Sequence, residues 1–178
     1  MQKKIWAALL ALMFLASGLA EASLYEGDGY AIALPEGLEV LSEEAVAGYF
    51  AGAAADVSGV IGEDEPQSVD LDAIMMAASA DGKTSVNINF MANDGKTAVD
   101  SATAAAAELE ALVEGLNAPN VTETAYGDHA FACIRYALYG NDVSQYFTVA
   151  GERLYCVTCT NMAEADIEAM LLTFAPEA

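Results

Sequence analysis

Positive charge is scarce in this chain of 178 residues: six Lys and Arg stand against 27 Asp and Glu, a formal net charge of −21. Nucleic acid and anionic lipid are bound chiefly by Lys and Arg neutralising phosphate, so both are excluded as partners. Histidine is nearly absent, with His129 alone. It lies four residues from Cys133, which on a strand puts the two on one face but roughly 13 Å apart, too far for a Cys-His pair. No Gly-x-Ser-x-Gly, phosphate-loop or His-Glu-x-x-His pattern occurs. Nothing in the sequence assembles a nucleophile with its base, so the chain reads as a non-enzyme and no cofactor is expected.

Long apolar runs are also missing, except at the start. Lys3 and Lys4 precede an apolar stretch from Ile5 to Leu19, and Ala20-Glu21-Ala22 places small residues where a signal peptidase reads them. Residues 1–22 are expected to be a secretory signal peptide, because a membrane span needs roughly 20 apolar residues and this stretch stops short. No Cys stands near the cleavage site, which closes the lipoprotein route. The mature chain, 23–178, is then a single extracytoplasmic domain, secreted or periplasmic, with no membrane span and a length that can bury a real core. Losing Lys3, Lys4 and Glu21 leaves four cations against 26 acids, a net charge of −22. Such a field favours solubility and attracts cations or basic partners.

Alternating apolar residues and Gly-containing turns predict strands over 29–34, with 38–41 as an extension, and over 71–79, 85–91, 121–126, 130–139, 143–150 and 154–160. Asp81-Gly82, Gly127-Asp128, Gly140-Asn141-Asp142 and Gly151-Glu152 are the predicted hairpin turns. Helices are predicted over 43–61, opened by Ser42 as N-cap, over 98–116 with Leu109, Leu112, Val113 and Leu116 on one face, and over 163–173 with Ile167, Met170 and Leu171 inward. Strands that follow one another without alternating helices imply an antiparallel sheet with helices packed on its faces, an α+β fold.

Gly29-Tyr-Ala-Ile-Ala-Leu-Pro-Glu-Gly37, Val86-Asn-Ile-Asn-Phe90 before a long helix, and Arg153-Leu-Tyr-Cys-Val-Thr-Cys-Thr160 before the last helix resemble the Mog1/PsbP-like (DcrB-like) family. The resemblance implies an αβα sandwich with a central antiparallel sheet of about six to seven strands. It carries over no catalytic residues, since members range from a Ran-binding nuclear protein to an extrinsic photosystem subunit and exported bacterial lipoproteins of unknown role, and a fold does not fix function.

Three Cys in an exported chain raise the question of a disulfide. Cys156 and Cys159 lie on one predicted strand about 10 Å apart, beyond the roughly 7 Å a bridge spans, and Cys133 is expected opposite Val149, a whole strand from Cys156. Three free thiols, buried or half-buried and acting as small hydrophobes, are the expectation. Glu63, Asp64, Glu65, Asp70 and Asp72 form a local acid cluster without regular calcium-loop spacing. A solvated loop is the first reading and a calcium site the second. Asn120-Val-Thr122 matches a glycosylation acceptor, which matters only in a eukaryotic host. Tyr136, Tyr139, Tyr146, Phe147 and Tyr155 are expected mostly in the core, or as a binding surface if a sheet face is uncovered. The functional expectation is an exported accessory domain that binds a protein or envelope component. The alternatives are a calcium-responsive module and an enzyme of unknown class.

Overall fold

The computed structural model of the chain describes residues 23–48 and 74–177. The predicted signal peptide, most of the helix predicted at 43–61 and the whole acidic loop lie outside them. The described residues form strands β1 (Ser23–Gly27), β2 (Tyr30–Leu34), β3 (Leu38–Val40), β4 (Ile74–Ser79), β5 (Ser85–Ala92), β6 (Thr122–Tyr126), β7 (His129–Leu138), β8 (Asn141–Ala150), β9 (Arg153–Thr160) and β10 (Ala175–Pro176). Helix α1 spans Ala98–Leu112 and α2 spans Glu164–Leu171. Seven strands build one antiparallel sheet in the order β3-β4-β5-β9-β8-β7-β6, and three build another in the order β1-β2-β10.

The large sheet is apolar on both faces because its central strands alternate two apolar sets. Val86, Ile88, Cys133, Tyr146, Tyr155, Val157 and Cys159 face one side, where Ile32 and Leu34 of β2, Ile167, Met170 and Leu171 of α2, and Phe174 complete the core. Ala132, Ile134, Phe147, Leu154 and Cys156 face the other, against Ala102 and Ala106 of α1. The layers therefore run α1, large sheet, then α2 with the small sheet, which is the expected sandwich with helices on both faces.

Helix α1 starts where the sequence commits it. Thr97 Oγ1 accepts from the Asp100 amide at 3.1 Å while the Asp100 carboxylate accepts from the Thr97 amide at 3.0 Å, a reciprocal capping box. It ends at Leu112 rather than 116, because Val113 is already extended, with φ −111°. Its buried side is Ser101, Ala102 and Ala106, and Leu112 is 60% exposed. Small residues let the helix axis approach the sheet closely; of the leucine stripe, Leu109 packs against the same cluster while Leu112 lies beyond it.

Three further expectations are corrected. Residues 38–40 do not extend β2 but leave it at Gly37 (φ +83°) and pair with β4. Strands β1 and β10 carry little apolar signal and appear only through pairing with β2. Cys133 lies opposite Tyr146, not Val149. The β7–β8 turn is Tyr139-Gly140, with φ of 50° and 82°, the signature of a type I′ turn. Asn141 already belongs to β8, and placing the turn further along the chain shifts the whole register by three residues.

Candidate functional site

All four basic residues of the stretch 23–178 lie among the described residues, and each meets an acid. Lys83 pairs with Asp81 at 3.5 Å, Lys96 with Asp94 at 3.1 Å, Arg135 with Glu164 at 2.6 Å and Arg153 with Asp28 at 3.3 Å. These are exposed pairs and stabilise the fold by at most about 1 kcal/mol each. Their consequence is electrostatic: the cations are matched locally, and the acids among the described residues are exposed. Asp81 is held charged by the Ser79 hydroxyl and then the Lys83 amide, which together lower its pKa.

At the outer edge of the large sheet the chain leaves β3 and enters helical turns at residues 43–48. Ser42 starts them: its Oγ accepts from the Ala45 amide at 3.3 Å and its carbonyl from the Val46 amide at 2.9 Å. A groove of about 640 Å³ opens there, within the size range of ligand sites. Tyr25, Val40, Leu41, Val46, Ile74, Met75 and Met76 give its apolar lining, with Ser42, Glu43 and Glu44 alongside. Val46, Met75 and Met76 are buried, Val40 is 46% exposed, and Glu43 and Glu44 are exposed. No basic side chain lies among these lining residues.

The groove was not legible from sequence, because β1, β3 and β4 supply its walls from three separated stretches. The faint signal is Val40-Leu41-Ser42-Glu43-Glu44, where apolar residues run directly into acids.

The sequence candidates are placed differently. Glu63, Asp64, Glu65, Asp70 and Asp72 lie outside the described residues. Among the described residues no three His, Cys, Asp or Glu side chains converge as a metal site. His129 is half-buried with its ring edge-on to Phe174 at 6.2 Å. The thiols of Cys133, Cys156 and Cys159 are free and buried. Alternation along β9 turns Cys159 toward the α2 side and Cys156 toward α1, so the sheet itself separates them. Burial, joined by the neighbouring Cys133, raises the Cys159 pKa to about 12, and burial raises that of Cys156 to about 11. These are the opposite of a reactive thiol's surroundings.

The aromatics do not form a surface either. Tyr146, Tyr155 and Phe147 are buried, and only Tyr139 of that set stands free, at 89% exposure on its turn. Asn120 is exposed ahead of β6. No helix among the described residues is long and apolar enough to cross a membrane.

No protein-family model matches the chain, and no curated protein is significantly similar to it. Among solved structures it is similar to cyanobacterial PsbP (CyanoP) from Synechocystis sp. PCC 6803, with a TM-score of 0.54 and 12% identity over 90% of this chain and 95% of that one. A crystal structure from Bacteroides thetaiotaomicron VPI-5482 aligns with a TM-score of 0.49 and 9% identity over 89% of this chain. This chain spans about half of it, 49%. The fold is PsbP-like.

Proposed function

We propose that residues 23–178 act as an exported, non-catalytic accessory domain that binds a protein or cell-envelope component presenting positive charge. The observation that carries this reading is the pairing of Lys83, Lys96, Arg135 and Arg153, each with its own acid. A surface whose few cations are matched within the chain presents negative potential to an approaching partner, and complementary potential speeds and orients encounter. The buried, high-pKa thiols and the isolated His129 fit a domain that binds rather than reacts. The PsbP-like fold is compatible with the reading and does not dictate it.

The test is affinity capture with the full mature chain immobilised, using envelope extract of the source cells and a salt gradient. A partner eluting between about 0.1 and 0.5 M NaCl is expected, because screening shortens to a few ångströms over that range. Recovery of nothing, or only of components indifferent to salt, refutes it.

A further inference from the structure

We propose that the groove at the β3 edge receives the apolar side chains of a basic amphipathic segment of a partner protein, with Glu43 and Glu44 taking its positive charges. This rests on the reading above and names its contact site. The groove has two chemistries side by side. Val40 and Leu41 leave apolar surface open beside Met75, while exposed Glu43 and Glu44 adjoin it and none of the lining residues is basic.

Each alternative occupant meets an obstacle on the page. A second copy brings its own net −22 and, with its four cations already matched, nothing positive to offer Glu43 and Glu44. A fatty acid or anionic lipid would put a negative head beside the same two carboxylates. A segment that is both apolar and positive satisfies both halves. Among the described residues β3 is the outermost strand of the large sheet and pairs with β4 alone. Docking an amphipathic segment in such a groove is a general recognition mode.

The experiment uses a fluorescein-labelled heptapeptide of alternating Leu and Lys, with one counterpart in which every Leu is Ser and another in which every Lys is Glu. Anisotropy is read against the full mature chain at about 0.1 M NaCl, where charges within about 10 Å still act. The Leu/Lys peptide is expected to bind, and each counterpart to lose about tenfold or more. Val40→Asp is decisive, because it adds negative charge. If the field alone holds the peptide, this change strengthens binding; if the groove holds it, binding falls about tenfold. Leu41→Ser repeats the test where a melt shows Val40→Asp to be unfolded.

Glu43→Gln with Glu44→Gln is expected to weaken binding about threefold to tenfold. Glu108→Gln with Glu110→Gln, exposed on α1, is expected to leave it unchanged. Equal effects of the two pairs, tight binding of the Ser counterpart, or no binding of any peptide overturns the groove. In the first two cases salt-sensitive binding survives, so the accessory-domain reading stands while this one falls.

Discussion

Gly29→Ala isolates a close approach that couples the two sheets. Gly29 sits in the β1–β2 turn at φ +76°, and its carbonyl accepts from the Tyr155 hydroxyl at 3.0 Å and from the Glu177 amide at 2.7 Å. A Cβ there would run into Nη1 of Arg153. That guanidinium donates to the Asp28 carbonyl at 2.7 Å and lies 4.3 Å over the Phe90 ring. Two costs follow. A left-handed L-residue costs about 1–2 kcal/mol. Displacing Arg153 loses its hydrogen bond to the Asp28 carbonyl, about 0.5–1.5 kcal/mol, its exposed ion pair with the Asp28 carboxylate, at most about 1 kcal/mol, and a cation–π contact of about 0.5–1 kcal/mol.

Gly37 supplies the control, because its φ is +83° and a Cβ there would meet nothing within 4 Å. Gly37→Ala is therefore expected to cost about 1–2 kcal/mol and Gly29→Ala about 2–5.5 kcal/mol, read from urea unfolding with a constant m-value. In an Arg153→Ala background the two glycine substitutions should cost the same, since the collision is gone. Equal costs in the parent chain would refute the argument, showing that Arg153 moves aside without loss.

Two further outcomes follow from the described geometry. Tyr139→Asn replaces an exposed tyrosine at φ +50° with a residue that tolerates that conformation. It should stabilise the fold by about 1 kcal/mol, a rise of about 2–4 °C in Tm; a fall would reveal a stabilising contact of the ring. The thiols set an alkaline limit. Cys156 and Cys159 keep their protons in the folded state up to about 11 and 12, whereas an unfolded thiol releases its proton near 8.5. Above that lower value the unfolded state binds fewer protons, so stability falls as pH rises from about 8.5 toward 11. Urea midpoints across that range should decline, and the decline should shrink in the Cys156→Ala, Cys159→Ala double variant; an unchanged slope in that variant refutes the assignment.

The strands of the meander were legible because local chemistry fixes them. Gly82, Gly127 and Gly151 stand at positive φ between alternating runs, and only such turns close short hairpins. The fold class followed from those strands. Register was less secure, since one misplaced turn at Tyr139-Gly140 moved Cys133 by three partners. The small sheet was hidden because β1 and β10 are made by pairing with β2 rather than by their own composition. The end of α1 was misplaced for a related reason: Leu109, Leu112, Val113 and Leu116 share helical spacing, but the helix stops at Leu112 and only Leu109 of the leucines within it packs against the sheet's core. The groove is a product of tertiary assembly, joining Tyr25, Val40 and Met75, so no sequence window contains it.

The placement of Cys156 and Cys159 on opposite sides of one strand bears on how the chain matures. A Cys-x-x-Cys spacing in an oxidising compartment would ordinarily invite a bridge, yet the completed sheet is a wall between the sulfurs. The native state holds all three thiols free and buried. The danger lies before folding finishes, when the spacer is flexible and the two sulfurs can meet; a bridge made then would lock the strand out of its pleat. A bridge between these two sulfurs would therefore be a mark of the unfolded chain, since the completed sheet keeps them on opposite faces.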